Sequence, residues 1–189
     1  MALLASVSPP LVSKSVAALP ILVMILVFIL TVPAAVKALK DEGCDCKFVC
    51  LGAGSLQNEL EQWVNDNGMA ENIFLLGIKP NVLDYLSAGD LLLHLSETEA
   101  SNSVVKEAGL VKKAAIVCKA VGDFEDYIEN NNNGFLVDKE DPVPETIAIL
   151  KAMDQNRPLL NEIGLKAQHS ITSVFDIGNV EQQYLNLLN

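Results

Sequence analysis

This sequence predicts an α/β fold, a parallel sheet with helices on both faces, on three observations. Short apolar runs of strand length alternate with amphipathic runs of helix length from Lys47 onward. Turns rich in Gly, Asn and Ser separate them. Half of the 189 residues are apolar and a fifth are charged, so one ordinary domain can bury its core. Strands that alternate with helices imply βαβ units, right-handed crossovers and a parallel sheet.

The elements follow in order. From Ser15 to Val36 no side chain is charged, and Ile21 to Leu30 is unbroken Ile, Leu, Val, Met and Phe. About 20 apolar residues span a bilayer, so length permits a membrane helix over 15–36. The flanking lysines, Lys37 and Lys40 against Lys14, then favour a cytoplasmic C-terminal side, with the domain anchored at the inner face of a membrane. The competing reading is a buried strand or core helix, because Ile21–Val32 is also strongly β-prone and Pro20 and Pro33 suit the edges of a strand. Residues 1–36 hold no Asp, Glu or Arg, and this composition shift marks a boundary between an apolar segment, 1–36, and a domain, 37–189.

Pro33 fits a first helical turn, Ala34–Glu42 reads as a helix and Gly43 as its stop. Lys47–Leu51 is a strand and Leu56–Asp66 an amphipathic helix with Leu56, Leu60 and Val64 on one face. Ile73–Gly77 is a strand, Asn81–Ala88 a short helix and Asp90–Leu95 a strand, with the next helix beginning near Asn102. Ala114–Cys118 is a strand, Phe124–Glu129 a helix and Gly134–Val137 a strand. Helices over Val143–Met153, Pro158–Ser170 and Val180–Leu188 complete the chain. Trp63 reads as core and Asn130–Asn133 as a turn.

Composition excludes some functions. A net charge of −11 and a pI near 4.5 argue against nonspecific nucleic-acid binding, which needs a basic surface. Cys44, Cys46, Cys50 and Cys118 form no disulfide framework in a chain of this length, and Cys44-Asp45-Cys46 has no second ligand pair at zinc-like spacing. They read as reduced thiols in or beside a strand.

Ligands of parallel sheets sit beyond the C-terminal ends of the strands, where strand order reverses. Three loops there are small or polar: Gly52–Ser55, Ser96–Ser103 and Val121-Gly122-Asp123. Gly52-Ala53-Gly54 lacks the third glycine of a dinucleotide fingerprint, and no acid follows at the end of a second strand, so a standard NAD site is rejected. Ser96–Gly109 is more informative. If the helix starts near Ser101 or Asn102, the amides of Asn102, Ser103 and Val104 face the loop and can take a phosphate. Glu99 and Glu107 bracket that helix start with seven residues between them. Glu107 then sits roughly 7–9 Å up the axis, at ~1.5 Å per residue, and a carboxylate there accepts hydrogen bonds from neutral hydroxyls such as a ribose. Amides for a diphosphate, one glutamate for a ribose and one polar loop for a sugar form the layout of a nucleotide-sugar site. The bland alternative is a pair of solvated surface acids near a favourable helix end. His94 ends a strand near the loop; a core or rim histidine is its first reading and a site-lining one the alternative. His169 receives no role.

These residues carry a resemblance. Phe48 to Asn189, about three quarters of the chain, resembles the C-terminal, donor-binding domain of GT-B retaining glycosyltransferases of the glycosyl transferases group 1 type. The motifs are E-x(7)-E, here Glu99 and Glu107, followed by the small pair Ala108-Gly109. Upstream stand a strand ending in glycines, Leu51-Gly52-Ala53-Gly54, then Phe74-Leu75-Leu76-Gly77, then Ala88-Gly89-Asp90. Downstream stand Val121-Gly122-Asp123, a stretch carrying Glu125 and Asp126, and Asn133-Gly134-Phe135-Leu136-Val137. The resemblance implies a Rossmann-like single GT-B half. It makes Glu107 the acid on the donor's ribose hydroxyls and Glu99 the catalytic acid near the transferred sugar. It makes Asn102, Ser103 and Val104 the source of diphosphate-binding amides. Gly54 becomes part of the donor loop, and Ile78 and Lys79 line the nucleobase.

The implied substrate is a UDP- or GDP-sugar, with sugar transfer to a glycan or lipid acceptor in polysaccharide biosynthesis and with no metal or other cofactor. Three departures from the family pattern stand out. Its Phe-Gly after the first Glu is here Ser101-Asn102. Its basic pair in the first strand-loop-helix falls on the apolar Ile21–Val32. Its acceptor-side domain has no counterpart, so a separate acceptor-domain chain is the partner the resemblance calls for. The alternative from another class is a truncated, non-catalytic relative acting as a binding subunit, and a third is another nucleotide-binding α/β protein of related fold, such as an epimerase.

Overall fold

The structure, a computed structural model, describes residues 21–25, 31–44 and 46–187. A sheet of six parallel strands runs through it in the order β3-β2-β1-β4-β5-β6. The strands are β1 (Ile21–Ile25), β2 (Cys46–Leu51), β3 (Ile73–Gly77), β4 (Leu91–His94), β5 (Ala114–Cys118) and β6 (Phe135–Val137). The helices are α1 (Thr31–Asp41), α2 (Gln57–Asp66), α3 (Val82–Ala88), α4 (Ser103–Leu110), α5 (Pro142–Gln155), α6 (Arg157–Val174) and α7 (Ile177–Leu187). Right-handed crossovers require α1 and α2 on one face of the sheet and α4 on the other. The long C-terminal helices follow suit, α5 packing on α1 and α6 on α4.

The apolar segment supplies the central strand. Ile21–Ile25 pairs with Cys46–Cys50 on one side, and Val23–Ile25 pairs with Leu91–Leu93 on the other. The backbone polar groups of a paired inner strand find their partners in the sheet, which is where an unbroken apolar run fits. This corrects two expectations. A membrane helix over 15–36 does not hold for the described residues, which are strand at 21–25 and helix from Thr31. No helix among the described residues is long and apolar enough to cross a membrane. The boundary at 36/37 does not separate the sheet from an appendage either, because the sheet's central strand precedes it. Residues 1–20 and 26–30 lie outside the described residues.

Elsewhere the sequence pattern and the elements differ by small steps. Gly43, at φ +80°, ends α1 as expected. α2 begins one residue later than its apolar face suggested, so Leu56 stands at the N-cap and is exposed while Leu60 and Val64 are buried. Trp63 is part-buried and packs against the core rather than within it. The helix expected over Phe124–Glu129 is a single 3-10 turn, Phe124–Asp126. Its reason is local: Asn133 Oδ1 accepts the Glu129 N–H at 2.7 Å, which turns the chain into the β6 strand. All four cysteines are buried thiols, and burial pushes Cys118 up to about 11 and Cys50 up to about 12.

One close approach fixes where α4 lies. α6 crosses it at Gly164, where a Cβ would collide with the Lys112 backbone carbonyl at the end of α4, and at Gly109, where a Cβ would stand 2.6 Å from Ile171 Cγ1. Small residues here let two helices touch through their backbones. Gly164→Ala is therefore expected to cost about 1–3 kcal/mol of folding stability through overpacking, measured as a lowered urea midpoint with unchanged slope.

Candidate functional site

Because all six strands are parallel, the loops that follow them share one rim of the sheet. The strand order reverses between β1 and β4, which opens the crevice where α/β sheets bind ligands. The β4-to-α4 loop, Leu95–Asn102, stands at that crevice and carries Glu99. Gly52–Gly54 follows β2, and Ile78 and Lys79 follow β3 at the sheet's edge, three strand spacings or about 14 Å from β4. The rim thus holds Gly54, Ile78, Lys79, Glu99, Asn102 and Ser103 in a row rather than in one cluster.

Within the row, the turn from β4 to α4 is built tightly. Asn102 is the N-cap of α4, extended in backbone, and its Oδ1 accepts the Val105 N–H at 3.2 Å. The first amides of a helix have no partner inside it, so the cap leaves those of Ser103 and Val104 at the mouth. Val104's side chain is buried in the core, so only its amide is available to a ligand. Ser103 and Glu107, four residues apart, share one face of α4, and Glu107 is half-buried there.

Glu99 is held from beneath. His94, the last residue of β4, is 0% exposed, and its Nε2 lies 2.9 Å from Glu99 Oε1. Phe124 meets the imidazole edge-to-face at 5.9 Å. The loop after β5 closes the other side: Gly122, at φ +55°, sits so near that a Cβ would be 3.0 Å from Glu99 Cβ. Only glycine satisfies both the left-handed backbone and that approach. Burial raises the Glu99 carboxyl, but hydrogen bonds from His94, Asn102 and Ser96 outweigh it, and the group is held below its ordinary value. The single hydroxyl proton of Ser96 is directed at the Thr98 carbonyl, 3.0 Å away, so His94 and Asn102 are the donors that count. Glu99 is a carboxylate at neutral pH.

A second cluster lies beside it. Lys106 Nζ reaches Asp123 Oδ2 at 2.7 Å and Ser101 Oγ at 2.6 Å, and Ser101 Oγ–H donates to the same Asp123 oxygen at 2.9 Å. The ammonium also lies over the rings of Tyr127 and Phe175, 5.2 and 4.7 Å from their centroids. Burial raises the Asp123 carboxyl, and its bonds to Lys106 and Ser101 bring it below its ordinary range.

Sequence reasoning singled out the two glutamates, the polar loop and a helix start near Asn102; that Asn102 caps the helix with its side chain comes from the structure. It read His94 first as a core or rim residue, and the structure buries it fully with its ring against Glu99. It did not find the Lys106–Asp123–Ser101 cluster, whose members are up to 22 residues apart. The sequence signal for His94 was its place as the last residue of a strand that turns back within eight residues.

Two measurements follow. Burial lowers the His94 imidazole below its ordinary 6.5, against the opposing pull of Glu99. The unfolded chain then binds a proton near 6.5 that the folded chain refuses, so stability is expected to fall as pH drops from 7 through 6. Glu99, whose ordinary value is 4.5, adds a loss of the same sign as pH falls below that value. Urea midpoints across pH 7 to 4 check this, and the upper part of the slope should disappear in His94→Gln. Lys106→Met strands the Asp123 carboxylate and is expected to cost about 1–3 kcal/mol, read from the same titrations.

Comparison with known proteins identifies the family and the fold. The family described as glycosyl transferases group 1 matches residues 30–169. The poly(ribitol-phosphate) alpha-N-acetylglucosaminyltransferase of Staphylococcus aureus (strain COL) is 26% identical over 143 residues, which cover 76% of this chain and 29% of that protein. The N-acetyl-alpha-D-glucosaminyl L-malate synthase of Bacillus anthracis is also 26% identical over 143 residues, 74% of this chain and 36% of that one. The chain therefore spans about a third of the curated relatives it matches. Among solved structures, TarM superposes with a TM-score of 0.79 at 22% identity, over 89% of this chain and 35% of that one. Anabaena HepE, solved in complex with UDP, superposes at 0.74 and 21% identity over 91% of this chain and 49% of that one. At these identities the structures speak for the fold, a Rossmann-like half of a GT-B architecture. The family match encloses the turn with Glu99 and Glu107, and the chain belongs to the glycosyl transferases group 1 family.

Proposed function

We propose that this chain is the donor-binding side of a glycosyltransferase that takes a nucleotide-diphosphate sugar and transfers the sugar with retention at the anomeric carbon. The observation that carries the proposal is an ionised Glu99 fixed beside a helix N-terminus at the sheet's switch point. In this reading the amides of Ser103 and Val104 receive the diphosphate, and their dipoles meet the negative charge that grows on it as the sugar–oxygen bond breaks. Glu107, on the face it shares with Ser103, accepts the ribose hydroxyls. Glu99 accepts a sugar hydroxyl, and its charge favours the positive charge that develops on the sugar ring. Asn102 sets the amides' direction, Gly54 leaves room for the donor and Ile78 and Lys79 flank the nucleobase. An acceptor hydroxyl, from a glycan or a lipid, gives its proton to the departing diphosphate. The acceptor's side of the cleft belongs to another domain or chain.

UDP-sugars are the first donors to titrate, since UDP is bound in the HepE structure and N-acetylglucosaminyl transfer is the named activity of the S. aureus relative. A second reading, a non-catalytic binding subunit, is favoured by one observation: no Lys or Arg stands between Lys14 and Lys37, so the residues linking β1 to α1 carry no cation for a diphosphate. Calorimetric titration with UDP, GDP and their glucose and N-acetylglucosamine conjugates tests the donor site that both readings share. Micromolar binding that weakens by ten-fold or more in Glu107→Ala supports a donor site. Absence of binding to every nucleotide overturns it. Sugar release in the presence of an acceptor-side partner distinguishes a transferase from a binding subunit.

A further inference from the structure

We infer that His94 is a positioning residue which, together with the cap residue Asn102, holds the Glu99 carboxylate so that one oxygen is filled by the protein and the other is left for a sugar hydroxyl. What Glu99 meets rests on the donor reading above; how it is held does not.

The geometry allows one assignment of protons. Asn102 uses its Oδ1 to accept the Val105 N–H, so its Nδ2 is the donor end, and that nitrogen lies 3.1 Å from His94 Nε2. The same Nε2 lies 2.9 Å from Glu99 Oε1. An imidazole nitrogen either donates or accepts. If Nε2 accepted from Asn102, its lone pair would face a carboxylate oxygen at contact distance, and an N–H on Nδ1 would be buried without an acceptor. With the proton on Nε2, it donates to Glu99, and Asn102 Nδ2 turns its hydrogens to the carboxylate as well. Nδ1 then keeps a lone pair, buried without a partner in the structure. A bare ring acceptor in that place is the lesser cost, since an unmade N–H bond gives up a full donor.

Rotation offers no escape. The imidazole is fully buried and wedged edge-on against Phe124. Glu99's side chain is 20% exposed, and the Gly122 turn covers its backbone. One side chain, Asn102, therefore fixes both ends of a donor's path: it caps the helix whose amides face the crevice and it braces the carboxylate beside them. The separation of those two recognition elements is set before any ligand arrives, which is what preorganised binding requires.

The test reads the sugar and the nucleotide separately. In His94→Leu, affinity for UDP-glucose or UDP-N-acetylglucosamine is expected to fall about ten-fold or more while affinity for UDP is unchanged. In His94→Gln, whose amide nitrogen falls near the lost Nε2, most of the affinity is expected to return. Asn102→Ser keeps a capping oxygen and removes only the amide donor, so it should also weaken the sugar nucleotide more than UDP. A ligand-free measurement runs beside these: carboxyl-carbon NMR titration should find Glu99 ionising at a higher pH in His94→Leu than in wild type, and near wild type in His94→Gln. Equal loss of UDP and UDP-sugar in the His94 and Asn102 variants, or a Glu99 titration that ignores His94, overturns the inference. Binding of none of these nucleotides by the wild type overturns the donor reading alone, and the carboxyl titration then still decides whether His94 holds Glu99.

Discussion

The central strand is the constraint on which the rest of the rim depends. Ile21–Ile25 is hydrogen-bonded to β2 on one side and β4 on the other, and the reversal of strand order between β1 and β4 exists only because it lies between them. Without it the two halves of the sheet would have no common edge, and the β4-to-α4 turn would open onto no crevice. Its place between two paired neighbours suits its composition: an inner strand of a parallel sheet needs no alternation of polar and apolar residues.

The β4-to-α4 turn converts that placement into chemistry. A strand delivers a buried imidazole, a helix delivers its capped N-terminus, and the seven residues between them bring Glu99 back over both. The charge logic is unusual for a site read as binding a diphosphate. The Lys106 ammonium on α4 is engaged with Asp123, Ser101 and two aromatic rings, and the residues linking β1 to α1 include no cation in the sequence. In the proposed reading, anion recognition falls on backbone dipoles, which need no counter-charge but act only over the first turn of the helix. The close approaches at Gly122, Gly109 and Gly164 pack this turn and its helix tightly against their neighbours.

Much of this was legible in the sequence, for particular reasons. Ile73–Gly77 and Ala114–Cys118 fall where the apolar runs put them, because run length and flanking turns are local signals. A helix start near Asn102 and Gly43 as a stop are legible for the same reason: their chemistry acts within one turn of the chain. Glu99 and Glu107 were found as a spaced pair on a helix start. Leu56, expected on the apolar face with Leu60 and Val64, is exposed because the helix begins one residue after its apolar stripe does. The stretch 21–30 stayed open between a spanning helix and a strand.

By itself, then, the sequence determined the α/β alternation, the rim loops, the helix start and the two glutamates, because each is written within a few consecutive residues. Only the tertiary structure decided that the apolar segment is the sheet's central strand, since a uniform apolar run has no period to distinguish one burial from another. It also decided that His94 meets Glu99 and that Lys106 meets Asp123. Those contacts depend on how far the chain turns back between β4 and α4 and on where the β5 loop lands, and both are set by strand order and helix packing rather than by any local pattern.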